Sequence, residues 1–251
     1  MSLRRVHRTW ETLAKSDPLW AIASRPDKKG NLWEPEEFFR TGEEQVRALF
    51  EELDGRGHGP RRGRALDFGC GVGRLTQALA GRFDRVDGVD VSTRMVELAR
   101  GHNRHGERCR YHASAAESLP FEAGCFDFVL SLITLQHMPA TLASGYIREF
   151  VRVLAPGGIA RFQMTAEPVE RDGASSAIRR LVKSILPRSA LGWIRSWRAG
   201  LAAERGYEMH GIARTSMERL IGDAGGELLL TDADRLAGSE WTSFSYTVRK
   251  P

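Results

Sequence analysis

The sequence predicts an α/β fold: a doubly wound, seven-stranded sheet, mostly parallel, with an antiparallel last strand. Three observations lead there. Between Arg64 and Met164, short apolar runs alternate with helical patterns, as strand–helix–strand units on a parallel sheet do. The first of those runs enters a glycine-rich turn that opens a helix. Near the C-terminus two strand-like runs, Glu227–Thr231 and Thr242–Arg249, are joined by a loop with no room for a helix, so they pair antiparallel.

The first sixty residues read as helical. Trp10, Leu13 and Ala14 fall at helical spacing until Pro18 ends the pattern. Pro35 opens a second helix, whose apolar face is Phe38, Phe39, Val46, Leu49, Phe50 and Leu53. The breaker-rich run from Gly55 to Gly63 links this segment to the sheet. Residues 1–60 are therefore expected to form an N-terminal helical lid and residues 61–251 the core. Strands are expected at Arg64–Phe68, Arg85–Val89, Arg108–His112, Phe126–Ser131 and Ile159–Met164, with Pro156-Gly157-Gly158 as a sharp turn into the fifth. Helices are expected near Arg74–Arg82, Ser92–Arg104, Ala140–Leu154 and Ser216–Ala224. Over 165–213 the alternation stops. Ile178, Leu181, Val182, Ile185 and Leu186 make one apolar helix face, Pro187 breaks it, and Leu191, Ile194, Trp197 and Leu201 suggest a second helix. This stretch reads as an inserted helical cap, and a basic one.

Composition bounds the function. At 251 residues, 41% hydrophobic and 27% charged, the chain can bury one good core and is not of the disordered class. No apolar run approaches the roughly 20 residues of a membrane span. The N-terminal MSLRRVHRTW is charged but has no apolar stretch of the secretory kind, so a cytoplasmic protein is expected. Three cysteines without a Cys-x-x-Cys pair fit reduced thiols. A formal charge of +5 permits an anionic partner without requiring one. His102, His105, Cys109 and His112 look like a metal-ligand run. However, Cys109 and His112 lie three apart on an expected strand and so point to opposite faces, and no metal is expected.

The chemistry concentrates after the first strand, in Asp67-x-Gly69-x-Gly71-x-Gly73. The glycines let the backbone turn tightly and approach a ligand, and the following helix aims its free N–H groups at it. Arg74 occupies the position where a dinucleotide fingerprint needs Gly or Ala, and no Gly-Lys-Ser/Thr is present. An acid two residues before the first glycine suits a cationic ligand better than a pyrophosphate. Asp90 ends the second strand about twenty residues beyond the turn, where an acid can accept both hydroxyls of a ribose.

This stretch resembles motif I of the class I S-adenosylmethionine-dependent methyltransferases, whose fold is Rossmann-like. The resemblance implies that Asp67, Gly69, Cys70, Gly71 and Gly73 line the methionine part of that cofactor, and that Asp90, with Val91 beside it, holds the ribose. Ser92 would cap the next helix, and Met95 would touch the adenine. Ala113 to Phe121 resembles the family's loop after strand three. The usual Asp is replaced there by Ser114, so adenine recognition is expected from Ser114, Ala115 (by its backbone) and Glu117. Phe126 to Pro139 resembles the family's fourth strand and the segment after it, placing Ser131 and Leu132 beside the sulfonium and His137 as the candidate catalytic base. His137 has the right ordinary pKa for proton removal near neutrality. Arg152 to Gly158 resembles the family's turn into strand five. The matches cover Arg64 to Met164; the first sixty residues and the insertion lie outside them.

The function so implied is transfer of a methyl group to an O or N atom of a small-molecule acceptor, of anionic, sugar-like or secondary-metabolite type, with S-adenosylhomocysteine as product. Trp10, Trp20, Trp33, Trp193, Trp197, Tyr207 and His210 are candidates for the acceptor pocket, since such pockets favour aromatic walls. Two competing readings use the basic insertion. One is a nucleic-acid methyltransferase with Arg179, Arg180, Lys183, Arg188, Arg195 and Arg198 on phosphates, although no appended RNA-binding module is visible. The other is a non-catalytic cofactor-binding protein that docks on a membrane or a partner. A homodimer is compatible with all three.

Overall fold

The computed structural model describes residues 2–169 and 208–251, so both helices expected within the insertion lie outside the described residues. The described helices are α1 (Leu3–Ser16), α2 (Pro18–Ile22), α3 (Pro35–Gly55), α4 (Arg74–Ala80), α5 (Thr93–His102), α6 (Ala140–Val153) and α7 (Arg214–Asp223). The strands are β1 (Arg64–Phe68), β2 (Arg85–Asp90), β3 (Cys109–Ala113), β4 (Phe126–Ser131), β5 (Leu154–Pro168), β6 (Glu227–Asp234) and β7 (Trp241–Arg249).

The seven strands form one sheet in the order β3-β2-β1-β4-β5-β7-β6. β1 to β5 pair in parallel, and β7 runs antiparallel between β5 and β6. The chain works outward from β1 to β3, then returns to β4 on the other side of β1. That reversal opens a crevice at the carboxyl ends of β1 and β4, the place where open sheets of this kind bind ligands.

The central strands are apolar on both faces because helices cover both. On β4, successive side chains enter opposite cores: Phe128 packs with Phe50 of α3 and Phe83, and Val129 with the cluster of Phe150, Phe162 and Tyr246. Burying one such side chain contributes roughly 1.5–3 kcal/mol. Val46, Phe50 and Leu53 bury α3 in the core that holds Ala65 of β1 and Phe128 of β4.

Pro18 does more than end a helix. It sits in the first turn of α2, and Asp17 before it accepts from the Trp20 N–H at 3.3 Å. The other Asp17 oxygen accepts from the N–H groups of Gly30 and Asn31, at 2.7 and 2.9 Å. Pro156-Gly157-Gly158 is a bulge within β5: the pairing with β4 jumps from Phe126↔Leu154 to Phe128↔Ile159. β5 then continues to Pro168, four residues into the stretch the sequence assigned to the insertion. Of the residues that resemble a metal-ligand run, His112 is taken up by an acid: its Nε2 lies 2.8 Å from Asp87 Oδ1.

Candidate active site

β1 delivers Asp67 and Phe68 to the crevice, and the chain then turns through Gly69, Gly71 and Gly73, with φ of +78°, +52° and +85°. The Gly69 and Cys70 N–H groups both donate to the Val89 carbonyl of β2 (2.8 and 3.0 Å). A Cβ on Gly69 would stand 2.2 Å from Thr134 Oγ1, and one on Gly71 would stand 2.5 Å from Ile22 Cδ1. Both positions therefore need glycine on conformational and steric grounds. Gly73 is the N-cap of α4.

Two acids flank this turn. Asp67 is buried and accepts from Thr76 Oγ1 at 2.6 Å. Burial pushes its carboxyl up to about 6, against the Thr76 hydroxyl and the charge of Arg74. Asp90 ends β2 and ties the turn to it: Oδ2 accepts from the Gly71 N–H (2.9 Å), and Oδ1 from the Ser92 N–H (2.8 Å). Burial raises the Asp90 carboxyl as well. The Val91 N–H bonds this carboxylate as well, leaving part of its four-fold acceptor capacity unused.

A cavity of about 590 Å³ opens where these groups meet. Pockets for small-molecule ligands and cofactors are roughly 300–1,000 Å³. Among the residues expected from sequence, Asp67, Gly69, Cys70 and Gly71 line it from the turn, and Asp90, Val91 and Met95 from the end of β2 and from α5. Ser114, Leu132 and His137 complete the expected set that reaches it. Gly73, Ala115, Glu117 and Ser131 do not. Gly73 faces the Tyr111 ring, Ser131 is buried within the sheet, and Ala115 and Glu117 sit exposed on the loop after β3.

Of the aromatic candidates, Trp10 and Trp33 line the cavity. Trp20 instead donates its indole N–H to the Arg25 carbonyl at 2.9 Å, and neither it nor His210 is on the wall. Trp193, Trp197 and Tyr207 lie outside the described residues.

His137 is buried, with its ring 5.4 Å from that of Trp10. Burial pushes its pKa down to about 4, so at neutral pH it is an uncharged imidazole and a weak base. Burial also pushes the Cys70 thiol up, which makes it an unreactive part of the wall.

Sequence reasoning missed Arg74 as a site residue. Its guanidinium is buried at the cavity, donates to Gln45 Oε1 (2.8 Å) and Thr41 Oγ1 (3.2 Å) of α3, and steadies the charge of Asp67. One signal was available: a cation in the first turn of a helix works against the helix dipole, so it calls for a compensating acid or ligand. Ile133, Thr134 and Gln136 of the segment after β4 also line the cavity. α1 is pinned beside it by Glu11, whose Oε2 accepts from Ser92 Oγ (2.7 Å) and from the Arg94 N–H (3.3 Å).

Residues 65–158 match the family model of the methyltransferase domain. The match to a methyltransferase domain covers 94 of the 251 residues. The matched stretch holds the glycine turn, both acids and the segment after β4. The ubiquinone biosynthesis O-methyltransferase of Burkholderia ambifaria is 33% identical over 128 residues, 50% of this chain and 54% of that protein. The demethylmenaquinone methyltransferase of Staphylococcus aureus is 35% identical over 114 residues, 44% of this chain and 46% of that protein. The chain thus spans about half the length of the curated relatives it matches.

Among solved structures, the methyltransferase domain and its flanking elements resemble magnesium protoporphyrin IX methyltransferase from Synechocystis PCC 6803 with bound SAH. The TM-score is 0.63 at 17% identity, over 99% of each chain. The [4+2]-cyclase SpnF gives a TM-score of 0.64 at 19% identity, over 100% of this chain and 96% of that one. These likenesses are in fold. Among the described residues, no helix is long and apolar enough to cross a membrane.

Proposed function

We propose that this protein transfers the methyl group of S-adenosylmethionine to an oxygen atom of a small-molecule acceptor. The observation that carries the reading is the pair of acids, Asp67 and Asp90, on the wall of one cavity at the crevice beside β1. Two carboxylates held in a desolvated site repel each other and are raised by burial; a cationic ligand relieves both. The residues present fit that cofactor. Asp90 would offer its remaining acceptor capacity to the ribose hydroxyls, Met95 on the cavity wall would meet the adenine, and the glycine turn would leave the methionine part room that a Cβ would fill. Asp67 and Arg74 present an acid and a base to the amino and carboxylate groups of the methionine part. Leu132 and Ser114 complete the wall. Gly73, Ala115, Glu117 and Ser131 receive no contact in this reading.

When bound, the cofactor supplies a methyl group already activated on a sulfonium. The chain's own task is to hold donor and acceptor in line, and orientation can supply roughly 7–11 kcal/mol of a barrier in favourable systems. Leu3, Val6 and Trp10 of α1 make the apolar side of the cavity, which suits an acceptor with an apolar or aromatic body and excludes water. The choice of oxygen follows the similarity to the O-methyltransferase of Burkholderia ambifaria. Cys70, Cys109 and Cys125 are free thiols, which fits a cytoplasmic setting.

The test is incubation of the purified protein with methyl-labelled cofactor and pools of quinol, phenol, sugar and carboxylate acceptors. Label in a product one methylene heavier than its acceptor is the expected result. Label found in nucleic acid alone, or cofactor binding with no transfer to any pool, contradicts the proposal.

A further inference from the structure

Behind the cavity wall runs a chain of buried amides whose direction is set by one backbone N–H. Ile133, after β4, has φ of +55°, a conformation a β-branched residue rarely adopts. Its N–H donates to Oε1 of Gln163, on β5, at 3.2 Å. Gln163 is fully buried, and its Nε2 donates to Gln136 Oε1 at 3.0 Å and to Ser243 Oγ of β7 at 2.6 Å. Gln136 Nε2 in turn lies 3.3 Å from His137 Nε2.

A backbone N–H can only donate, so Gln163 must show Ile133 its oxygen and Gln136 its NH₂. Gln136 meets that NH₂ with its own oxygen, which leaves its NH₂ for His137. An amide NH₂ also only donates, so the His137 nitrogen facing it must carry a lone pair. We propose that this relay fixes His137 as the Nδ1–H tautomer, with its Nε2 lone pair occupied by Gln136. Gln163 and Gln136 are then positioning residues, and His137 is a fixed polar wall of the cavity, not the proton acceptor.

The opposite tautomer fails at a definite place. An Nε2–H would require Gln136 to turn over, then Gln163, and the Gln163 NH₂ would face the Ile133 N–H, which has no way to turn. A doubly protonated ring meets the same clash, in agreement with the burial that keeps this imidazole neutral. The Glu208 backbone also hydrogen-bonds the ring. The same Gln163 oxygen holds Ile133 in its strained conformation at the cavity wall, so one residue sets both the ring and the loop. Its meaning for catalysis rests on the function proposed above: the acceptor's proton leaves by solvent or by the acceptor's own acidity. The tautomer itself stands or falls without that function.

Nitrogen-15 NMR of histidine-labelled protein at neutral pH reads it directly. The His137 ring is identified by its loss in His137→Asn or by cross-relaxation with the Trp10 indole. The expected spectrum has a pyrrole-like Nδ1 and a pyridine-like Nε2. A pyrrole-like Nε2, or a charged ring, overturns the proposal. Gln163→Met keeps the shape and removes the anchor, and the two tautomers should then mix. Persistence of the single tautomer in Gln163→Met, or in Gln136→Met if the first variant does not fold, shows that the relay is not its cause. Calorimetry with S-adenosylhomocysteine on the same samples tests the cofactor reading separately.

Discussion

Asp67 and Asp90 look alike in the sequence and differ in the structure. Asp90 is bonded to two backbone N–H groups, while Asp67 has a hydroxyl and a nearby guanidinium. The Asp67 carboxyl, raised to about 6, gives a pH signature. Below that value it is protonated and neutral, and a cationic ligand prefers the ionised form. Cofactor affinity should therefore rise as pH climbs through about 6 and level off above 7, with a proton released on binding near pH 6. Calorimetry across pH 5 to 8, in buffers of differing ionisation heat, measures both; an affinity flat with pH would exclude Asp67 from the site. The glycine turn and both acids were legible because they are local in sequence. Arg74 and Gln163 were not, because what defines them is remote: Thr41 and Gln45 on α3 for the first, Ile133 and Ser243 for the second. Spacing located the loop after β3 and said nothing of which way its side chains face, and there Ser114 lines the cavity while Glu117 is exposed.

At the scale of elements, Ser92 joins two functions. Its hydroxyl accepts from the Met95 N–H (3.1 Å) as the N-cap of α5 and donates to Glu11 of α1. Ser92→Ala should cost about 1 kcal/mol, within the usual 0.5–2 for a lost cap. For a chain of this size that lowers Tm by roughly 2–4 °C in a calorimetric scan. Glu11→Ala should act differently. It frees α1 from the Ser92 and Arg94 groups, so amide exchange in α1 should quicken and cofactor affinity fall several-fold, with little change in Tm. Exchange unchanged in that variant would mean that Val6 and Ala14, both buried, hold α1 in place by themselves. The sequence marked the ends of most elements to within a few residues. It did not show that Pro18 starts a helix as well as stopping one, nor that the glycines after Pro156 form a bulge. Asp17 makes the first of these by capping α2 at the Trp20 N–H while its other oxygen holds Gly30 and Asn31, and strand pairing makes the second.

For the whole molecule, the order of strands explains why one cavity collects residues from four strand ends. β1, β2 and β4 are neighbours at the reversal, and β3 closes the row. The alternation of patterns predicted a parallel sheet, and the short β6–β7 connection predicted the antiparallel pair; the place of β7 between β5 and β6 came from the structure alone. The fold itself does not select a reaction, since a similar fold serves a [4+2]-cyclase. Ligand linkage is a check on the whole chain. S-adenosylhomocysteine at one hundred times its Kd should stabilise the protein by about 2.7 kcal/mol, which a thermal scan reads as a rise of several degrees.

The central claim is that the glycine turn and its two flanking acids hold S-adenosylmethionine or its product. Titration of S-adenosylhomocysteine into the wild type and into Asp90→Ala measures it most directly. The expected result is one site per chain in the wild type and at least about tenfold weaker binding in the variant, a loss of about 1.4 kcal/mol or more. No binding to the wild type, or equal affinity in the two proteins, would contradict it.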